Sequence, residues 1–283
     1  MIPESAVVLL AGEPASFKTW LAQVLARGIS TGGMALGRQA NQRNVLFLDR
    51  ENPVGVVRER ARILRMTSTS SLRYWGGWEG DLPPLLGDIR LREIARDFKP
   101  LMFFDSLLRF HQGDENSAKD MAPVMANLRD LANLGASPFV IHHTPKNDAY
   151  KFRGSTDILA AVDLAYSLSM NHKTGNLSLN CFKNRFGREF EMVLRPDLEN
   201  ADIVVIQSET GSKDTRELEA LQKIIRATPG INQTEIVNKA GFPQKHCVDL
   251  LKKGLEKHWW SAKKGSRGAT EFTVIECPYK LEE

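Results

Sequence analysis

Short, continuous apolar runs alternate with helix-like segments through roughly the first 170 residues of this chain. The apolar runs are residues 6–11, 45–48, 101–104 and 139–141. Helical spacing of apolar residues is found at 18–29, 53–64, 119–132 and 155–162. Continuous apolar strands separated by helices are typical of a parallel sheet whose two faces are both covered. The sequence therefore predicts an α/β fold with a mostly parallel sheet between helices.

The pattern changes after Asp163. The segments at 164–169, 177–182, 190–194 and 203–206 are shorter, alternate more, and are joined by turn residues. They predict antiparallel strands that finish the sheet, so the first domain is expected at 1–206. The polar residues 207–214 (QSETGSKD) predict a linker.

Helical spacing returns beyond this linker, from Leu218 to Ile225, and continues at 233–240 and 245–257. The stretch 259–274 (WWSAKKGSRGATEFTV) has the pattern of two strands that flank a basic, Gly-rich hairpin. Three helices followed by a hairpin are the plan of a winged helix-turn-helix domain, a small α+β fold, which we expect at 215–283.

Positive charge is concentrated in this second domain. The whole chain carries a net charge of +4, but Lys239 to Arg267 holds eight Lys or Arg against Asp249 and Glu256, a local charge of +6 (8 − 2). Such an excess predicts a polyanionic partner such as DNA. Basic residues of the expected recognition helix (243–257) and wing would meet phosphates, and we list them as Lys245, Lys252, Lys253, Lys263, Lys264 and Arg267. The alternative is a protein–protein module.

Cysteine spacing and hydropathy predict a cytoplasmic protein. Cys181, Cys247 and Cys277 have no metal-ligand spacing, which is typical of reduced thiols. No apolar run approaches the roughly 20 residues that span a bilayer, so no membrane contact is expected. The six histidines form no H-x-x-x-H pair, so they predict no metal site of their own.

The stretch GEPASFKTW follows the first apolar run and resembles a phosphate-binding loop. Gly12, Lys18 and Thr19 match G-x-x-x-x-G-K-[ST], but Phe17 stands where the second glycine belongs. A strand, a loop and a helix start in this order direct backbone amides at an anion. Lys18 would reach the β- and γ-phosphates, and Thr19 would hold Mg²⁺. The alternative is a plain strand–helix turn that carries a lysine. The predicted nucleotide-binding residues of the loop are Gly12, Glu13, Pro14, Ala15, Ser16, Phe17, Lys18, Thr19 and Trp20.

Acidic residues end the second and third apolar runs. Glu51 follows the run at 45–48, where it could orient or deprotonate a water that attacks ATP. The alternative is that Asp49 or Glu51 only caps the next helix. Asp105 follows LMFF in the arrangement of a Walker B strand and is predicted to bind Mg²⁺ with Thr19.

Three further groups of polar residues are candidates for binding. His142 and His143 follow the fourth apolar run and could sense the γ-phosphate, cap a helix or bind a metal; we favour the sensor. The loop at 145–154 interleaves aromatic residues with three cations, which suits single-stranded nucleic acid as much as a solvated surface loop. Those cations are Lys146, Lys151 and Arg153. Lys183 and Arg185 could form surface ion pairs or reach the nucleotide of a neighbouring subunit.

With these residues in place, the chain resembles RepA-type hexameric replicative helicases of the RecA-like superfamily. The resemblance covers about residues 5–200 and is most specific at 101–125 (LMFFDSLLRFHQGDENSAKDMAPVM). The segment 142–155 (HHTPK…FRGS) matches as well.

This resemblance implies a RecA-like ATPase that uses ATP and Mg²⁺, forms a homohexameric ring on single-stranded DNA, and serves plasmid or phage replication with a primase or initiator partner. It implies that Glu51 is the catalytic glutamate and that Arg60 lies against the adenine ring. Lys183 and Arg185 match K-x-R-x-G, whose cations act on the neighbouring subunit's nucleotide.

Two other functions are compatible with the same residues. One is a nucleotide-switched regulator that binds duplex DNA through the winged helix. The other is a RecA-like recombination accessory ATPase, which would form filaments instead of rings.

Overall fold

The computed structural model describes residues 2–67, 70–78, 80–144, 156–210, 213–256, 258–265 and 269–275. The chain divides into two compact units, Met1–Thr210 and Gly211–Glu283. No helix in the described ranges is long and apolar enough to cross a lipid bilayer.

The first unit alternates strands and helices. Its strands are β1 (Val8–Gly12), β2 (Met34–Ala35), β3 (Arg38–Gln39), β4 (Val45–Asp49), β5 (Leu72–Gly76), β6 (Leu101–Asp105), β7 (Ser137–His143), β8 (Leu164–Met170), β9 (Leu177–Asn184), β10 (Phe190–Asp197) and β11 (Asp202–Thr210). Its helices are α1 (Lys18–Thr31), α2 (Val54–Ile63), α3 (Ile89–Phe98), α4 (Ala118–Asn133) and α5 (Thr156–Ala161), with a 3-10 turn at Leu107–Arg109.

Nine strands form one sheet in the order β11-β10-β9-β8-β1-β7-β6-β4-β5. The strands from β8 to β5 in this order are parallel, and β9, β10 and β11 are antiparallel. The predicted fold class, a mostly parallel sheet with antiparallel strands at one end, is confirmed. The prediction that 164–169 is antiparallel to the main sheet is wrong, because β8 runs parallel to β1. The crossover through α5 returns the chain to the edge where β7 began, which is how parallel neighbours are connected.

Two elements were not predicted, β5 and α3, and both lie between Glu51 and Asp105 in the chain. Two strand–helix units, and not one, therefore connect the second and third predicted strands. β5 is only partly buried because it is the edge strand beside β4, so its sequence LRYWG lacks a continuous apolar run. Edge strands with one neighbour give a weaker hydropathy signal than central ones.

The core covers both faces of the sheet. Alternate residues of β1 point to opposite faces: Leu10 packs on the α1 side, and Leu9 packs on the side of α3 and α4. All five residues of β1, β4 and β6 are buried. Polar residues are accordingly confined to the strand ends, where they meet at the carboxyl edge of the sheet.

The second unit contains α6 (Lys213–Ala227), β12 (Ile231–Asn232), α7 (Gln233–Ala240), α8 (Gln244–Glu256), β13 (Trp260–Lys264) and β14 (Thr270–Val274). Its three strands pair in the order β12-β14-β13, and its helices pack their apolar faces around the buried Trp260 and Phe272. The predicted linker 207–214 is longer than the structure allows, since β11 reaches Thr210 and α6 begins at Lys213. The polar residues 207–210 pair with β10 as part of an edge strand, which explains why they resemble a linker.

Candidate active site

Four neighbouring parallel strands bring the predicted polar residues to one edge of the sheet. Gly12 at the end of β1 pairs in register with His143 at the end of β7. Asp49 at the end of β4 pairs in register with Asp105 at the end of β6. In open α/β sheets this carboxyl edge is where ligands bind. The structure thus brings the phosphate-loop candidate, both acidic candidates and the histidine candidate together.

Gly12 is required by a close backbone approach from β8. A Cβ atom at this position would lie only 2.3 Å from the backbone oxygen of Leu168. Any side chain would push β8 away from β1, which explains why glycine ends this strand. The chain then turns through residues 13–17 into α1, which begins at Lys18.

The loop holds two residues other than glycine in the left-handed region of the backbone. Phe17 has φ 69° and Ala15 has φ 62°. The second glycine of a phosphate loop would adopt this conformation without steric cost, whereas a residue with a Cβ cannot. The Phe17 ring compensates in part by packing on the core and lying 6.2 Å from the ring of Trp20.

Lys18 is buried inside the loop. Its Nζ donates hydrogen bonds to the carbonyl oxygens of Gly12 at 2.8 Å and Glu13 at 2.6 Å. Burial lowers the pKa of Lys18 to about 8, although the carboxylates of Asp105 and Glu51 oppose this shift. The side chain is therefore a cation at neutral pH, held where the loop backbone and the start of α1 converge.

Thr19 and Asp105 form the second half of the predicted site. The Thr19 hydroxyl donates to Asp105 Oδ2 at 2.8 Å, and Asp105 is only 2% exposed. Burial raises the pKa of Asp105 to about 7, and the neighbouring Asp49 adds to this rise. A hydroxyl and a carboxylate are hard oxygen donors of the kind that Mg²⁺ prefers.

The number of protein ligands also fits Mg²⁺. No group of three or more His, Cys, Asp or Glu side chains in the described part of the chain could hold a metal ion. Mg²⁺ at nucleotide sites is held by one or two protein groups together with substrate phosphates and water. A site built from Thr19 and Asp105 alone matches that pattern.

Asp49 has a structural role. Its Oδ1 accepts the backbone N–H groups of Glu51 and Asn52, each at 2.9 Å, and its Oδ2 accepts the Tyr74 hydroxyl at 2.7 Å. Burial and the negative charge of Asp49 raise the pKa of Tyr74. Since α2 begins only at Val54, Asp49 fixes the turn that carries Glu51 and does not cap the helix itself.

Glu51 is held by donors on two other strands. Ser106 Oγ donates to Oε2 at 2.6 Å, and His143 Nε2 lies 3.5 Å from Oε1. Contacts with His143 and Ser106, with a smaller effect of Arg109, hold the pKa of Glu51 at about 2, although burial opposes the shift. The shorter Ser106 bond is the firmer of the two contacts. Glu51 is thus ionised and able to accept a hydrogen bond from water.

The two adjacent histidines do not share one role. They are the last two residues of β7, and successive side chains of a strand point to opposite faces. His143 faces Glu51, whereas His142 is buried in the sheet at 2% exposure. Of the two predicted sensors, the structure therefore brings only His143 to Glu51.

Arg60 lies beside the start of α1. Its guanidinium carbon is 5.5 Å from the centre of the Trp20 ring, and its Nη1 donates to Asn52 Oδ1 at 3.2 Å. The Asn52 amide in turn donates to Asp105 Oδ2 at 3.3 Å. Arg60 is therefore next to the phosphate loop, and its proposed contact with adenine stays a prediction.

Lys183 and Arg185 lie at the opposite edge of the sheet from Gly12. β9 is antiparallel to β8, so the end of β9 is next to the beginning of β8. Lys183 Nζ donates to the Leu159 carbonyl at 2.6 Å, and Arg185 Nη1 donates to Asp163 Oδ1 at 3.0 Å. Neither cation can reach the phosphate loop of its own chain, so the ion-pair alternative accounts for their contacts within one subunit. Their action on a neighbour stays a prediction.

The predicted nucleic-acid residues are only partly described. Lys146, Lys151, Arg153 and Arg267 lie outside the described residues. Those within them, Lys245, Lys252 and Lys253 on α8 and Lys263 and Lys264 on β13, have exposed side chains. Exposure is necessary for contact with DNA but is also usual for lysine, so this interface stays a prediction.

Three residues of the site were missed in the sequence. Ser106 follows a strand end directly, so the same reasoning that selected Asp105 could have included it. Asn52 follows Glu51 in the turn, and nothing in its type indicated contact with Asp105. Tyr74 belongs to β5, and finding it required the pairing of β5 with β4.

Comparisons with known proteins agree with this geometry. A family model described as an AAA domain matches residues 1–149, more than half of the 283-residue chain. No curated protein sequence matches significantly. Among solved structures, the ATPase domain of a phage helicase matches with a TM-score of 0.57 and 13% identity, over 72% of this chain and 86% of that one. This likeness shows a shared RecA-like fold, and the phosphate loop, Walker B strand and family model together identify an ATPase. The chain belongs to the AAA domain family.

Proposed function

We propose that this protein is an ATP-driven motor that moves along single-stranded DNA as a ring, in replication of the plasmid or phage type. The observation that carries the proposal is the meeting of Lys18, Thr19, Asp105 and Glu51 at one sheet edge, because these groups together supply what phosphoryl transfer needs. The resemblance at 101–125 to RepA-type helicases supports the choice of DNA as partner.

The proposed reaction is hydrolysis of the γ-phosphate. The Lys18 cation and the loop amides would hold the β- and γ-phosphates. Mg²⁺, held by Thr19 and Asp105, would neutralise charge that develops on the transferred phosphoryl group. Glu51 would orient the attacking water, and its pKa of about 2 makes it a weak base that accepts the proton late. His143, which faces Glu51, would sense the γ-phosphate.

The nucleobase would lie on the side of α1 that carries Trp20. Arg60 is over that ring, and a guanidinium that stacks on an aromatic side chain also stacks well on a purine. Arg60→Ala should weaken ATP binding while leaving inorganic-phosphate contacts unchanged, which calorimetry with ATP and with tripolyphosphate would measure.

The proposed ring follows from the position of Lys183 and Arg185. Both lie at the sheet edge opposite their own phosphate loop, so only another subunit's nucleotide could be their target. A head-to-tail contact that brings this edge to a neighbour's loop is heterologous, and such contacts close into rings. We propose a homohexamer, in which these cations would exchange their contacts with Asp163 and Leu159 for the neighbour's phosphates. A primase or initiator protein is the expected partner of such a ring.

We further propose that the second unit is a winged helix that binds DNA. The order α6, β12, α7, α8, β13, β14, with the left-handed Gly241 between α7 and α8, supports this assignment. Exposed lysines of α8 and β13 would contact phosphates. Because Asp249 and Glu256 also lie on α8, the net charge of this helix is small, which favours positioning on DNA over strong non-specific binding.

We place this motor in the cytoplasm, where plasmid and phage DNA are replicated. Its described cysteines, Cys181 and Cys247, are buried and free, which fits a reducing compartment.

The test measures ATP hydrolysis with and without single-stranded DNA. We expect DNA to stimulate hydrolysis and Lys18→Ala to abolish it, since the loop would lose its cation. Lys173→Ala, an exposed lysine in the β8–β9 turn, is the matched control and should behave as wild type.

Electron microscopy with a non-hydrolysable ATP analogue separates the alternatives. Closed rings support the motor. Filaments would favour a recombination accessory ATPase. Unstimulated hydrolysis with ATP-dependent binding of duplex DNA would favour the nucleotide-switched regulator.

A further inference from the structure

Ser106 and Glu51 face each other because of strand register. Asp49 and Asp105 are paired across β4 and β6, so the residues just beyond the two strand ends are neighbours. Ser106 is 2% exposed, whereas about one third (34%) of the Glu51 side chain is open to solvent. A rigidly buried hydroxyl thus meets a long, partly exposed carboxylate.

The contact between them is short. Ser106 Oγ lies 2.6 Å from Glu51 Oε2, the distance of a charge-assisted O–H···O⁻ bond. Serine has a single hydroxyl proton, and here it is donated to Glu51. The second carboxylate oxygen, Oε1, is on the side of His143, at 3.5 Å from Nε2.

Glu51 needs such an anchor. A glutamate has three rotatable side-chain bonds, and a partly exposed one samples several rotamers unless a partner holds it. A carboxylate that orients a water must be fixed to within about 0.5 Å for efficient catalysis. Holding Oε2 fixes where Oε1 lies, and Oε1 is the oxygen nearest to His143 at the end of β7.

We propose that Ser106 is a positioning residue for ATP hydrolysis: its hydroxyl anchors Oε2 of Glu51 so that Oε1 is aimed at the attacking water. The inference rests on the proposed role of Glu51. Ser106 acts through this carboxylate and need not touch ATP. A purely structural serine would instead only tie the β4 and β6 turns together.

The first test compares three variants in steady-state hydrolysis. Ser106→Ala removes the anchor and should lower kcat about 10-fold, the effect of losing one hydrogen bond to a charged group, without changing KM or the Kd for ATP. Ser106→Thr keeps the hydroxyl and should restore kcat to within about threefold of wild type.

Ser137→Ala is the matched control. Ser137 is also fully buried and hydrogen-bonded, to Arg43 and to the Pro3 carbonyl, but lies at the start of β7, on the opposite edge. Its loss should affect thermal unfolding and leave kcat unchanged. If Ser106→Ala fails to fold, Ser106→Cys keeps the approximate size with a weak donor and gives the same comparison.

The second test is a double-mutant cycle with Glu51→Ala, measured as single turnovers with enzyme in excess. If Ser106 acts through Glu51, Ser106→Ala should add nothing in the Glu51→Ala background. An unchanged kcat in Ser106→Ala, a raised KM, failure of threonine to rescue, or an equal effect in both backgrounds would each overturn the proposal. A wild-type rate in Glu51→Ala alone would instead refute the proposed role of Glu51.

Discussion

The left-handed backbone at Phe17 leads to a prediction about stability that reverses the usual order of residues. At φ 69°, a residue with a Cβ atom is destabilised by about 1–2 kcal/mol relative to glycine. Glycine loses about 0.5–1 kcal/mol more chain entropy on folding. The partly buried Phe17 ring contributes about 1 kcal/mol, a fraction of the roughly 1.5–3 kcal/mol of full burial.

These magnitudes nearly cancel in Phe17→Gly. We expect its free energy of unfolding to lie within about 1 kcal/mol of wild type. Phe17→Ala loses the ring and keeps the strain, so it should be less stable than Phe17→Gly by about 0.5–1 kcal/mol. In an ordinary helix or strand, alanine is the more stable of the two.

Ala15 supplies a control without a ring. It has φ 62° and is exposed, so Ala15→Gly relieves strain and removes only a methyl group. We expect it to raise stability by about 0.5–1 kcal/mol. Urea unfolding of the unit that contains the loop measures all three variants, and calorimetry measures ATP binding. Because the loop amides stay in place, the Kd for ATP in Phe17→Gly should change less than about threefold.

The reasoning is refuted if Phe17→Ala equals or exceeds Phe17→Gly in stability while Ala15→Gly falls below wild type. That pattern would mean that the loop stores no left-handed strain. Loss of ATP binding in Phe17→Gly would mean that the stretch GEPASFKTW is not a phosphate loop.

Three further changes test other parts of the molecule. Asp163→Ala removes the buried carboxylate that pairs with Arg129 and should cost roughly 3 kcal/mol in urea unfolding. Gly254→Ala would place a Cβ 1.9 Å from the buried ring of Trp260, so the second unit should lose roughly 1–3 kcal/mol and melt earlier in calorimetry. Hydrogen-bond donors lower the pKa of Glu51 from 4.5 to about 2, so its contribution to stability is present above pH 4.5 and lost as the pH falls towards 2; Glu51→Gln should flatten this part of the stability–pH curve.

The sequence was sufficient where a residue's role depends on its own strand. Buried strands have continuous apolar runs, so their ends, and with them Gly12, Glu51 and Asp105, could be found without knowing their neighbours. The same holds for the order of helices and strands in the second unit.

Roles that depend on pairing between strands were not accessible. Ser106 meets Glu51 only because β4 and β6 are adjacent and in register. Tyr74 reaches Asp49 from an edge strand whose sequence gave little signal. Lys183 shows the same limit, because its K-x-R spacing matches a family motif, whereas its partner, the Leu159 carbonyl, belongs to an element that no motif includes.

The site gives its two central carboxylates opposite properties, and this difference suits their proposed tasks. Glu51, beside the donors Ser106 and His143, has a pKa of about 2 and is ionised at any working pH, as a water-orienting group must be. Asp105, buried beside Asp49, has a pKa of about 7, so its negative charge is costly without a cation nearby. A divalent cation that arrives with ATP would favour the ionised form of Asp105 and so bind in competition with a proton. Affinity for the metal–nucleotide complex should therefore rise with pH up to about 7, whereas affinity for metal-free ATP should not share this rise.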